Sequence, residues 1–126
     1  MKIFGVGTDI IKVSRIEKFL NNKKSLQRLF NKDEIFYCKK KKKFINCFAK
    51  RFAAKEAFAK ALGTGISKGI NFNEIVISNK PSGKPFIKLT KNSKKIVEKK
   101  LTKKFRVLLS LSDEEKYAVA FVTILK

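Results

Sequence analysis

The residues of this chain best suited to chemistry are Glu56 and Lys60, four positions apart, and Asp9, at the end of an apolar N-terminal segment. Residues at that spacing share one helix face, so a carboxylate and an ammonium are presented together. A carboxylate among apolar neighbours, as at Asp9, is costly unless it is paired, hydrogen-bonded or bound to a metal. Histidine is absent, which removes imidazole bases, nucleophiles and metal ligands. Carboxylate, lysine, water or metal chemistry remains. Hard oxygen donors without histidine or paired thiolates favour Mg²⁺ over zinc, and a Mg²⁺ held by one or two carboxylates completes its shell with waters and substrate phosphates. Lys60 is then placed to hold a phosphate oxygen, a constellation suited to phosphoryl-type transfer. Spacing alone is met equally by an ordinary surface pair, and Asp9 alone by a turn-capping aspartate.

The element that must carry Glu56 and Lys60 runs from Phe44 to Gly65, FINCFAKRFAAKEAFAKALGTG. Apolar residues at Ile45, Phe48, Ala49, Phe52, Ala53, Phe58 and Leu62 follow the helical repeat, and Gly63 supplies a C-terminal stop. Gly63, Thr64 and Gly65 open a loop to Gly69 that fits neither the Walker A nor the GxGxxG spacing. Beside Lys60 and Lys68 it still suits phosphate oxygens reaching backbone N–H groups. Asp9 ends a strand from Ile3, with Phe4, Val6 and Thr8 on one face and Ile3, Gly5, Gly7 and Asp9 on the other. Two glycines inside a strand predict close approach by another backbone or a ligand.

The remaining segments supply cover and sheet. Ser14 and Glu17 form a capping-box pattern for a helix to Leu20 that turns Ile16, Phe19 and Leu20 inward and Arg15 and Lys18 outward. A short helix is expected over Ser25 to Phe30, and Asn31 with Glu34 repeats the capping signature. Lys39 to Lys43 reads as a solvated linker. Phe72 to Ser78 and Phe86 to Leu89 are expected strands joined by a turn through Lys84 and Pro85. Ser93 is expected to cap a lysine-rich helix ending near Lys104, with Ile96, Val97 and Leu101 inward. Phe105 to Ser112 and Tyr117 to Leu125 complete an α+β fold, a single domain over residues 1–126 with a mostly antiparallel sheet packed on the long central helix.

The 126 residues carry a formal charge of +21 from 31 basic and 10 acidic side chains. Two readings account for this excess, an anionic partner and a compositional bias of the source toward Lys, Asn, Ile and Phe. No stretch reaches the roughly 20 apolar residues of a membrane span, and a cytoplasmic protein without membrane association is expected. Cys38 and Cys47 lack the paired spacing of a zinc site and are expected to be reduced and structural. Charge alone would also serve a non-enzymatic nucleic-acid-binding module. Against that reading, the lysines are dispersed and no aromatic-basic RNA-recognition motif is visible.

Four segments together resemble the holo-acyl-carrier-protein synthases, small 4′-phosphopantetheinyl transferases: GVGTDIIKVSRIE, FAKRFAAKEAFAKALGTGI, SGKPFI and LSLSDEEKYAVAFV. They span nearly the whole chain in the family's order. The resemblance implies transfer of 4′-phosphopantetheine from coenzyme A to a serine of an acidic apo acyl carrier protein, in support of fatty acid biosynthesis, with release of adenosine 3′,5′-bisphosphate. It implies that Asp9 and Glu56 bind Mg²⁺ with the coenzyme pyrophosphate and that Lys60 contacts the phosphate under attack. Arg51, the Gly63–Thr64–Gly65 loop, Lys84 and Pro85 are expected near coenzyme A, and Arg15, Lys18 and Arg28 at the carrier-protein docking surface. The family also implies a homotrimer with active sites between subunits. Many relatives carry a histidine where this chain has Leu108; either that histidine is dispensable, with metal-bound water or Lys60 handling the proton, or this chain is weakened or inactive, and the intact metal pair and lysine favour the first.

Overall fold

The computed structural model describes residues 1–66 and 69–126. In chain order the elements are strand β1 (Ile3–Lys12), helices α1 (Val13–Leu20), α2 (Lys23–Leu29), α3 (Lys32–Lys39) and α4 (Phe44–Leu62), strands β2 (Ile75–Asn79) and β3 (Pro85–Leu89), helix α5 (Lys91–Leu101), and strands β4 (Arg106–Asp113) and β5 (Tyr117–Leu125). Strands β1, β5 and β4 form one antiparallel sheet in that order, and β2 with β3 forms a separate hairpin. The α+β expectation holds, with the strands divided between two sheets.

Helix α4 is the centre of the core. Phe48, Ala49, Ala53, Ala54, Ala57, Phe58, Ala61 and Leu62 are buried along it, and the small residues let its backbone lie close across β1 and β5. The two strand glycines are the counterpart. A β-carbon at Gly5 would lie 2.0 Å from the Ala61 carbonyl oxygen, and one at Gly7 1.9 Å from that of Ala57. Close backbone approach, expected from the two glycines, is made by the helix that carries Glu56 and Lys60. Gly63 ends α4 in the left-handed conformation at φ 88°, as the absence of a side chain allows.

Several boundaries depart from expectation, each for a tertiary reason. Helix α1 starts at Val13 with Lys12 before it and no side-chain cap. The Val13 N–H is taken by the Lys116 carbonyl at 2.8 Å, which removes the need for Ser14 and Glu17. Phe19 remains 37% exposed. Residues Phe72–Glu74 form a 3₁₀ turn rather than the start of a strand. Ser93 lies inside α5 and does not cap it. Its N–H and hydroxyl donate to Glu74 Oε1 at 3.0 and 2.7 Å, and its oxygen accepts from the Asn71 N–H at 2.9 Å. Helix α5 ends at Leu101, where Thr102 turns to φ 65°, so Lys103 and Lys104 lie beyond it. The capping box of Asn31 and Glu34 forms as expected.

Cys38 and Cys47 form a disulfide with Cα atoms 5.5 Å apart, which corrects the expectation of reduced thiols. The end of α3 and the first turn of α4 fold back on each other around the lysine turn, and both cysteines fall on the inward side.

Candidate active site

Asp9 and Lys60 are brought together by the packing of β1 on α4. Lys60 Nζ donates to the Thr8 carbonyl at 2.9 Å and to Asp9 Oδ1 at 3.3 Å. The Asp9 side chain is 17% exposed and that of Lys60 54%. The lysine thus stands at the rim while the carboxylate sits deeper. Glu56, one turn earlier and half-buried, faces the same place. Burial pushes its carboxyl above the ordinary range, the nearby Asp9 charge pushes it the same way, and Lys60 pulls it back. A carboxyl whose ionisation is opposed by a neighbouring carboxylate, with an ammonium touching that neighbour, forms a cation-seeking site beside a half-exposed anion-binding group.

Among the described residues no cluster of three or more metal-ligating side chains occurs. The donor set for a metal is therefore the Asp9 and Glu56 pair, and its chemistry fits Mg²⁺. Both donors are hard oxygens, and their mutual repulsion would be relieved by a divalent cation that keeps open positions for substrate oxygens.

Arg51 does not join this group. It lies nine residues before Lys60 on α4, about half a turn round the helix and roughly 14 Å along it. There it is 3% exposed, donates to Asn79 Oδ1 at 2.8 Å, and stacks its guanidinium 4.4 Å from the Tyr37 ring centre. With Lys41, Lys42, Lys43 and Lys50, and with Asp113, Glu114 and Glu115 of the acidic turn, it lines a cavity of about 620 Å³ in which the cations outnumber the carboxylates. Gly83 and the exposed Lys84 precede β3, and Pro85 opens the strand, paired with Asn79. The chain thus carries a carboxylate–lysine site and a basic cavity on opposite sides of one helix.

The glycine loop behaves differently from expectation. The Gly63 and Gly65 N–H groups both donate back to the Ala59 carbonyl, at 3.1 and 3.2 Å, because closing the helix leaves its last carbonyls in need of donors. Those two N–H groups are occupied and do not offer themselves to a phosphate. Thr64 Oγ1 donates to the Gly65 carbonyl at 3.0 Å. Lys68, expected beside the loop, lies outside the described residues. Arg15 and Lys18 on α1 and Arg28 on α2 are exposed, as the docking expectation requires. Leu108 is 40% exposed on the face of the β1–β5–β4 sheet that carries Val6, Ile10, Val119 and Phe121. It is two strands from β1 and on the side away from α4.

Sequence reasoning missed Glu34 and Lys55. Both are fully buried and joined at 2.7 Å. The spacing Phe48, Lys55, Leu62 places Lys55 on the buried stripe of α4 and was the available signal.

The model of the 4′-phosphopantetheinyl transferase superfamily matches residues 5–122. Among similar proteins, a holo-[acyl-carrier-protein] synthase of Pelagibacter ubique is 45% identical over 127 residues, covering 100% of this chain and 99% of that protein. The crystal structure of a Neisseria meningitidis holo-[acyl-carrier-protein] synthase superposes with a TM-score of 0.88 at 39% identity, covering 98% of this chain and 99% of the other. That of the Bacillus anthracis synthase in complex with coenzyme A (3′,5′-ADP) gives 0.81 at 35% identity, covering 100% and 99%. With β1 and α4 inside the matched span and full-length relatives of one kind, the chain belongs to the holo-[acyl-carrier-protein] synthase family of 4′-phosphopantetheinyl transferases.

Proposed function

We propose that this chain is a single-domain, Mg²⁺-dependent transferase that moves 4′-phosphopantetheine from coenzyme A to a serine of an acidic apo acyl carrier protein. The observation that carries this is Lys60 held between the Thr8 carbonyl and Asp9, beside a Glu56 whose carboxyl is pushed upward, in a chain 45% identical over its length to a synthase of that name. Asp9 and Glu56 would hold Mg²⁺, which when bound neutralises charge on the coenzyme pyrophosphate. Lys60, tethered at the rim and half-exposed, turns from Asp9 to an oxygen of the β-phosphate and stabilises the charge that gathers there. The carrier serine's oxygen forms the new P–O bond as the pyrophosphate bridge breaks, adenosine 3′,5′-bisphosphate leaves with the bridging oxygen, and the serine's proton passes to solvent. With no histidine in the chain, the position of Leu108 takes no part in proton transfer.

Because Arg51 and its cavity lie on the far side of α4, a coenzyme molecule reaching both sites spans two copies of the chain. Phe4, Val6, Ile10, Leu108, Val119 and Phe121, all at least 36% exposed on one sheet face, form an apolar surface that a homotrimer would cover. Arg51, Lys84 and Pro85 then belong to the nucleotide end of coenzyme A, with the Gly63–Gly65 turn beside the phosphates. Arg15, Lys18 and Arg28 would receive the acidic carrier, drawn in by the net charge of +21. The setting is cytoplasmic fatty acid biosynthesis.

The test is transfer of a labelled pantetheine arm from coenzyme A to apo carrier protein with Mg²⁺. Labelled carrier is expected. No transfer to several carriers, together with tight, salt-sensitive RNA binding, would favour a nucleic-acid-binding module instead.

A further inference from the structure

The mechanism leaves unused a buried charged cluster on the Arg51 side of α4. Glu34 is 1% and Lys55 0% exposed. Glu34 Oε1 accepts from Lys55 Nζ at 2.7 Å and from the Asn31 N–H at 3.1 Å, while Oε2 accepts from the Ile77 N–H at 3.0 Å. Lys55 Nζ also donates to the Phe72 carbonyl at 2.7 Å. One carboxylate thus ties α3, α4 and β2 together, and the ammonium extends the tie to the 3₁₀ turn.

Hairpin β2–β3 is only two-stranded, and such a hairpin is marginal without tertiary support. Its distance from α4 is set where the Ile77 N–H meets Glu34. Two residues further along β2, Asn79 meets Arg51 at 2.8 Å, and Arg51 lies one turn before Lys55 on α4. The two contacts are therefore the same spacing between helix and hairpin, fixed at the buried end by Glu34 and used at the cavity end by Arg51 and Asn79. The cluster also holds two cations and one carboxylate. Arg51 lines the cavity together with Lys41, Lys42, Lys43 and Lys50, so the cavity end presents cations to an anionic group.

We propose that Glu34 is a positioning residue for the nucleotide end of the coenzyme: through Lys55 and the Ile77 N–H it holds β2–β3 where Arg51 and Asn79 together grip an anionic group in the cavity. This rests on the transferase reading above. Because Glu34 acts on the side of α4 away from Asp9, Glu56 and Lys60, its loss falls on coenzyme affinity and spares the chemical step.

The experiment measures binding of adenosine 3′,5′-bisphosphate by calorimetry alongside KM and kcat for the full chain. Glu34→Asp keeps the charge but is one methylene too short to reach both Lys55 and Ile77. It should weaken the bisphosphate and raise KM for coenzyme A by about tenfold, with kcat within about threefold. The double variant Glu34→Leu with Lys55→Met replaces the pair by apolar groups of similar size, a change that is often neutral for stability. It should recover the melting temperature and still bind the nucleotide weakly. Wild-type affinity in a folded double variant, or in Glu34→Asp, would overturn the proposal and leave the pair a stability element. Equal loss of kcat and of 1/KM would place its effect on the reacting carboxylates and also overturn it. Should the double variant not fold, Glu34→Asp decides. A wild-type chain that ignores the bisphosphate contradicts the coenzyme reading itself, a result distinct from either.

Discussion

Replacing Gly7 by alanine should separate the two halves of the active site. The added β-carbon would lie 1.9 Å from the Ala57 carbonyl oxygen and 2.7 Å from the Ala61 nitrogen. Both obstacles are helix backbone, so no side chain can rotate away, and α4 must retreat from β1 by at least about 1 Å to restore van der Waals contact. Overpacking at a helix–strand contact of this kind costs about 3 kcal/mol, equivalent to a fall in melting temperature of roughly 10 °C for a domain of this size. The retreat stretches the Lys60 contacts with Thr8 and Asp9, now 2.9 and 3.3 Å. A displacement of that order in a reacting constellation lowers the rate by about a hundredfold. Val97→Ala on α5 is the control. It removes two methyl groups from a side chain that is 0% exposed, so about 2 kcal/mol is lost without moving β1. Thermal denaturation and pantetheine transfer, measured on both variants, decide. Gly7→Ala with wild-type melting and activity would refute the close packing, and equal inactivation of the two variants would refute the link between packing and catalysis.

Reduction of the Cys38–Cys47 disulfide opens a loop of sequence separation 9 and should lower stability by about 3 kcal/mol on the loop-entropy estimate. Unfolding with and without dithiothreitol, alongside thiol alkylation of the denatured chain, checks this; alkylation of both cysteines without reductant would contradict the bond. Glu74 is held below its ordinary value of 4.5: desolvation works against its charge, but donors on Ser93 and Asn71 outweigh it. A carboxyl depressed in the folded state contributes stability above its unfolded pKa and loses it as pH falls through the folded one. Glu74→Gln should therefore melt lower than wild type at pH 7, by at most about 1 kcal/mol given its exposure. The gap should close below about pH 4; a gap that widens in acid would reverse the sign. Arg15→Glu should raise KM for the carrier and leave that for coenzyme A unchanged, and equal loss for both substrates would move docking away from α1.

The residues of the candidate site were legible because each stands out from a local pattern. Asp9 is a carboxylate in an apolar segment, expected at the end of its strand and found within it because β1 runs on to Lys12; Glu56 and Lys60 share a helix face, and the two glycines before Asp9 announce a close neighbour. What was hidden depends on contacts between distant segments. Glu34 had a complete local explanation as the partner of Asn31 in a capping box, and the same carboxylate also receives Lys55 and Ile77. Ser93 looked like a cap until Glu74, nineteen residues earlier, supplied a stronger partner. The cysteines gave no motif, since their pairing follows from how α3 and α4 fold back around the lysine turn. The split of the strands into a sheet and a separate hairpin likewise depends on pairing between distant segments, β1 with β5 across nearly the whole chain. Some boundaries were closer, as at Tyr117–Leu125, a strand expected and found with the same ends.

The central claim is that Asp9, Glu56 and Lys60 on β1 and α4 carry out the transfer. Its most direct measurement is the mass of apo acyl carrier protein after incubation with coenzyme A, saturating Mg²⁺ and either wild-type chain or Glu56→Ala. Wild type should add the phosphopantetheine arm to the carrier, and Glu56→Ala, folded by circular dichroism, should add none. Carrier modified by Glu56→Ala at the wild-type rate would contradict the assignment of this site.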